Sequence, residues 1–148
     1  MAYFRIHNKG TLWIHDEAEA ASTISPGMVC EMTSSKTVQA HSTEGGRAER
    51  LIALEDALQG NGVDTDYSAD DIVTLALGMP GEVFNLLVAT GEALNPGDEV
   101  VSGGDGTVVA ASNVSSGVTV AQVIGRVDAS EDAFTALAAD TLKAIRLV

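Results

Sequence analysis

From Leu51 to Gly125 the sequence contains no lysine and no arginine. Eleven of its acids fall in that stretch: Glu55, Asp56, Asp64, Asp66, Asp70, Asp71, Glu82, Glu92, Asp98, Glu99 and Asp105. Phosphate contacts rest on clustered Lys and Arg, so this half of the chain repels DNA and RNA, and no nucleic-acid partner is expected. The flanks are nearly balanced, with five bases against six acids before the stretch and three against four after it, giving −13 overall. An acidic face of this kind is commonly a solvated one. The alternative is complementarity to a basic partner, an attraction screened beyond about 8 Å at physiological ionic strength.

Cysteine is nearly absent. With Cys30 alone, an intramolecular disulfide framework is excluded. Its neighbour Glu31 is an anion rather than the cation that activates a thiolate, so Cys30 reads as a small buried hydrophobe in a strand. Aromatics make up only 4%, which leaves Trp13, Phe84 and Phe134 among the few large anchors. No apolar run approaches the roughly 20 residues that span a bilayer, so no membrane partner is expected. Met1 to Asn8 lacks the charged-then-apolar pattern of a secretion signal, which points to a chain that folds in the cytoplasm where it is made.

What is present is β-forming. Apolar residues reach 45%, enough for a core, and the abundant Val, Ala, Gly and Thr suit sheets better than a helical bundle. Ile72–Leu77 reads as a strand ended by Gly78-Met79-Pro80-Gly81, and Val83–Ala89 as the next. Asn95-Pro96-Gly97-Asp98 forms a turn. Glu99–Ser102 and Thr107–Ala111 flank Gly103-Gly104-Asp105-Gly106 as a hairpin, and Val118–Val127 and Lys143–Val148 complete the strands. Asp16–Ala21 and Ser130–Leu137, the latter with an N-cap at Ser130, read as short helical segments. The expectation is an all-β protein, a small sandwich or barrel with hairpins and at most one or two short helices. It occupies residues 1–148 as a single domain, with an extended N-terminal arm over about residues 1–10.

The halves echo each other. Ser25-Pro26-Gly27-Met28-Val29 followed by Thr37-Val38-Gln39-Ala40 matches Asn95-Pro96-Gly97-Asp98-Glu99 followed by Thr107-Val108-Val109-Ala110, at the same spacing. Ile52-Ala53-Leu54-Glu55-Asp56-Ala57 then matches Ile124-Gly125-Arg126-Val127-Asp128-Ala129. Chance produces matches this short; a true duplication would mean two similar β units packed into one core.

Motifs for chemistry fail on inspection. Asp64-Thr65-Asp66-Tyr67-Ser68-Ala69-Asp70 begins like a calcium loop, but Ala69 replaces the turning glycine and Leu75 the closing glutamate. Gly103–Gly106 is followed by a β-branched strand, not by the helix N-terminus and lysine of a phosphate cradle. His7, His15 and His41 have no paired metal-ligand spacing, and no G-x-S-x-G elbow exists. No cofactor and no catalytic residue is expected.

The block Leu54-Glu55-Asp56-Ala57, Gly60-Asn61-Gly62-Val63-Asp64, Tyr67-Ser68-Ala69-Asp70-Asp71-Ile72-Val73 resembles small capsid decoration (cement) proteins of tailed bacteriophages. His7-Asn8-Lys9-Gly10 and Pro96-Gly97-Asp98 belong to the same resemblance, which runs from about Arg5 to Asp128. One departure is Asp70-Asp71, where a Gly would be expected before Asp. The resemblance implies a non-enzymatic virion protein on the outer capsid surface. It would clamp the major capsid protein, commonly as a homotrimer at symmetry axes. Cations are so few that Arg5, Lys9, Arg47, Arg50, Arg126 and Arg146, with the aromatic Trp13, become the candidate capsid or oligomer contacts; Arg is favoured at interfaces because its planar fork grips carboxylates. Two rivals stand beside this reading. One is a lipoyl-like carrier with Lys36 at a hairpin tip, although Cys30-Glu31-Met32 does not reproduce the flanks of such a lysine. The other is an unrecognised enzyme, which would show a pocket with convergent polar groups.

Overall fold

The computed structural model describes residues 5–12, 14–115, 117, 119 and 122–148. One sheet contains β2 (Ile14–Glu19), β3 (Val29–Met32), β4 (Val38–Ala40), β5 (Leu51–Ala53) and β6 (Ile72–Leu77), in the order β2-β6-β5-β3-β4. Neighbours are antiparallel, and a parallel bridge from Ala20 to Val38 joins the end of β2 to β4, closing a five-stranded barrel. The second sheet contains β7 (Val83–Val88), β8 (Glu99–Ser102), β9 (Val108–Ala110), β10 (Gly125–Val127) and β11 (Thr141–Leu147), in the order β7-β11-β10-β8-β9. Parallel pairing of Val88 with Val108 closes it, and β1 (His7–Lys9) adds along β7.

The two barrels match strand for strand, so the duplication is real in the fold. The bridge Ile24–Tyr67 in the first has its counterpart in Leu94–Phe134 in the second. The N–H of Gly27 donates to the Ala53 carbonyl at 2.9 Å, and that of Gly97 to Val127 at 2.8 Å. The third sequence echo is corrected by register. Val29 pairs with Ile52 and Glu99 with Arg126, so Ile52 corresponds to Arg126 and not to Ile124. A slip of two residues preserves the in–out alternation of a strand, and side-chain pattern alone is therefore blind to it.

Inside the first barrel lie small side chains, among them Ala20, Cys30, Val38, Ala53, Val73 and Leu75, with Ile24 and Tyr67. The Tyr67 hydroxyl donates to the Leu54 carbonyl at 2.7 Å, satisfying a buried polar group that would otherwise cost about 1–3 kcal/mol. The second barrel's interior, with Val88, Leu94, Val100, Val108, Val127 and Ile145, is continuous with the seam between barrels. Val29, Ile52 and Ala76, on the outer face of β3-β5-β6, are fully buried in that same cluster beside Phe84, Leu86 and Leu147. On β6, Val73 and Leu75 line the first barrel while Ala76, on the opposite side, packs against the second, and Ile72 on that same side stays exposed.

Three local expectations are overturned. Asp16–Ala21 is not helical: β2 runs as an extended strand paired with β6, because cross-strand partners distant in sequence override a weak local preference. Ser130–Leu137 forms no helix. The Ser130 hydroxyl and N–H both donate to Asp128, and Phe134 bridges to Leu94. The strand expected over Val118–Val127 is confined to Gly125–Val127 in the described residues; positions 118, 120 and 121 lie outside them. Helical structure takes the form of one-turn 3-10 segments, among them Ala57–Gln59 and Ala111–Asn113. At the departure noted above, Asp70 takes φ +70°, the left-handed conformation that glycine holds without strain and that Asp tolerates.

Candidate functional site

The cations of the sequence separate into groups. Lys9, Arg146, Arg126 and Glu99 fall in one register row across the second barrel, with Val83 between Lys9 and Arg146. Arg126 and Arg146 are direct cross-strand partners, a like-charge arrangement that opposes pairing. Each has its own carboxylate. Arg126 Nη2 donates to Glu99 Oε1 at 2.9 Å, while Arg146 donates to Asp128 Oδ1 through Nη2 at 2.7 Å and Nε at 3.0 Å. Lys9 Nζ reaches Asp128 Oδ2 at 3.1 Å. Asp128 is buried, whereas the side chains of Lys9, Arg126 and Arg146 are each at least half exposed. Burial by itself would raise the Asp128 pKa; the Ser130 hydroxyl and N–H, Arg146 and Lys9 outweigh it and hold the carboxyl well below its ordinary range. The row therefore offers three partly exposed cations to two resident anions.

Arg47 and Arg50 form a second group. Arg47 is exposed, and Arg50 Nη2 donates to the Val123 carbonyl at 3.2 Å while its Nε is buried without a partner among the described residues. The two line a hollow of about 440 Å³ with Leu77, Gly78, Met79 and Pro80. Arg5 stands apart, in a hollow of about 400 Å³ with Leu12, His15, Leu54 and the exposed Leu58. Trp13 lies outside the described residues. Lys36 is at the tip of the β3–β4 hairpin, with φ +63°.

One constellation looks catalytic. His41 Nδ1 lies 2.7 Å from Ser102 Oγ, and its Nε2 lies 3.8 Å from Glu31 Oε2. Ser102 is fully buried, so its hydroxyl meets no substrate, and the His41 Nε2 is nearer the Arg47 carbonyl, at 3.3 Å. Held between the Ser102 hydroxyl and the Arg47 carbonyl, the buried His41 ring pins the connection between β4 and β5. Among the described residues no group of His, Cys, Asp or Glu is arranged to hold a metal ion. Burial, the largest influence, pushes the Cys30 thiol up to about 12, which makes it inert.

Sequence reasoning missed Asp128, the buried anion that gathers Lys9 and Arg146 from strands remote in sequence. Its only local signal is Asp128-Ala129-Ser130, a short acceptor followed by its own donor.

No family model matches the chain, and no curated protein matches it in sequence. Among solved structures, the chain is similar to the head fiber gp8.5 N base of bacteriophage phi29, with a TM-score of 0.57 and 12% identity over 91% of this chain and 93% of that one. The likeness at that identity is one of fold, and it extends across both barrels.

Proposed function

We propose that this chain is a non-enzymatic structural protein of a bacteriophage virion, seated on the outside of the head, where it bridges major capsid subunits as a homotrimer. The observation that carries the reading is the fold, shared along 91% of the chain with a phage head fiber base. The Arg47–Arg50 hollow supports it. Two guanidinium groups beside Leu77, Pro80 and the partly exposed Met79 combine the charged fork and apolar surface that protein interfaces favour. A packaged genome presses outward, and several weak contacts around a symmetry axis act together against it through avidity. Particles stripped of this protein should assemble but open at lower temperature or under milder osmotic shock than complete ones. Equal resistance of stripped and complete particles would remove the reinforcing role. Occupancy on particles after Arg47→Ala and Arg50→Ala together tests the contact surface; undiminished occupancy would place it elsewhere.

A further inference from the structure

Gly27 and Gly97 hold the same position in the two barrels, each with φ +91°, and their surroundings differ completely. A Cβ added at Gly27 would meet Leu142 Cδ2 at 2.5 Å and the Asn85 carbonyl oxygen at 3.0 Å, because β7 of the second barrel crosses there; the Leu87 N–H donates to the Gly27 carbonyl at 3.0 Å. A Cβ at Gly97 would meet nothing within 4 Å. Beside Gly97 lies a hollow of about 450 Å³, lined by Ala93, Leu94, Ala111, Asn113 and Arg126. The outer face that buries Val29, Ile52 and Ala76 in the first barrel presents Glu99, Arg126 and Arg146 in the second, half exposed and uncovered.

We infer that a second copy of this chain docks on that face, laying Glu17–Glu19 of its β2 over Gly97 and pairing those acids with Arg126 and Arg146. The occupant follows from the duplication. The segment that covers Gly27 is Asn85–Leu87 of β7, and its counterpart in the first barrel is Glu17–Glu19 of β2. Register fixes this: Asn85 pairs with Ala144 and Glu17 with Thr74, and the carbonyls of Ala144 and Thr74 accept the equivalent N–H groups of Asp128 and Leu54. The contact between copies thus repeats the contact between barrels with its chemistry changed from apolar to charged. Glu17 and Glu19 are both exposed and lie on the outward side of β2, since Ala20 faces the barrel interior. Of the acids already at the hollow, Asp98 accepts the Asn95 N–H of its own turn and Glu99 is on Arg126. Complementary charge sets the orientation and speed of such a contact more than its strength. It is heterologous, one patch meeting a different patch, and such contacts build rings when the rotation closes.

The inference rests on the self-association in the proposed function and specifies its surface. Sedimentation of the full chain over a range of concentrations at low salt should show reversible assembly that high salt loosens. Arg126→Glu should weaken assembly by about tenfold or more, as should Glu17→Arg with Glu19→Arg. All three changes in one chain should restore it. Ala93→Trp, which fills the hollow from an exposed position without touching a charge, should also block assembly, with an unchanged thermal melt confirming the fold. A monomer under all low-salt conditions, or assembly indifferent to both Arg126→Glu and Ala93→Trp, would overturn the inference. Particle binding is measured separately: a chain that binds particles as a monomer sinks this contact alone, and one that assembles but binds no particle sinks the virion role alone.

Discussion

Lys36 and Gly106 occupy the same place in equivalent hairpins and share a left-handed backbone, with φ of +63° and +86°. The equivalence follows from the hairpin bonds: Thr33 N–H donates to the Thr37 carbonyl, and Gly103 N–H to the Thr107 carbonyl. A residue with a Cβ is strained in this conformation, and glycine is not. Lys36→Gly should therefore stabilise the chain by about 0.5–1 kcal/mol, the relief of strain exceeding the cost of the extra conformational entropy that glycine gives the unfolded chain. The reverse change, Gly106→Lys, should destabilise it by more, since a Cβ there meets Met28 Cγ at 2.9 Å and Ala40 Cβ at 3.0 Å. Chemical denaturation of both variants measures the two signs, and a Lys36→Gly variant less stable than the parent would show that the turn is relaxed.

Asp128→Asn removes the anion shared by Lys9 and Arg146. Both cations are half exposed and can return to water, so the cost should be about 2 kcal/mol rather than the 3–5 of a wholly buried pair. The pH dependence has a definite sign. A carboxyl whose folded pKa lies below its unfolded value of about 3.9 adds stability that is complete above that value and lost as pH falls toward the folded pKa. The parent should therefore lose stability in acid more steeply than Asp128→Asn. Parallel acid-unfolding curves for the two proteins would contradict this.

Cys30 should resist thiol reagents while the chain is folded. Its Sγ is buried in the first barrel, and its pKa stands near 12, so almost no thiolate exists at neutral pH. Labelling should become rapid only in denaturant, and rapid labelling of the native chain would mean that the barrel opens readily.

Tyr67→Phe tests the duplication directly, because the counterpart of Tyr67 is Phe134. The hydroxyl of Tyr67 satisfies the Leu54 carbonyl. Its loss should cost about 1–2 kcal/mol. At the second site the ring carries no hydroxyl and is met by Lys143 Nζ, 4.7 Å from the Phe134 ring centroid and 3.7 Å from Glu131 Oε2, and Lys143→Ala should cost under about 1 kcal/mol at this partly exposed position. Thermal melts of the two variants should rank in that order.

Binding to nucleic acid should be negligible at physiological salt, since the stretch from Leu51 to Gly125 supplies eleven negative charges and no cation. Retardation of duplex DNA or single-stranded RNA at micromolar protein would refute this.

Local chemistry determined a large part of this protein. β6 through β9 were legible as apolar runs between Gly and Pro turns and β11 as an alternation of charged with apolar residues, as were the hairpin at Gly103–Gly106, the acidic middle and two of the three duplicated segments, because alternation and turn geometry are properties of neighbouring residues. Tertiary structure decided the rest. Asp16–Glu19 became a strand because β6 supplies its ladder, and Asp128 became a hub because β1 and β11 bring cations from opposite ends of the chain. Nor could alternation say what would cover the apolar outer face of β3, β5 and β6. Val29, Ile52 and Ala76 lie beneath the second barrel, whereas Glu99, Arg126 and Arg146 lie open. The two sets occupy the same strand positions; side-chain chemistry marks the first as a face to be covered, and only the packing of one barrel on the other decides what covers it.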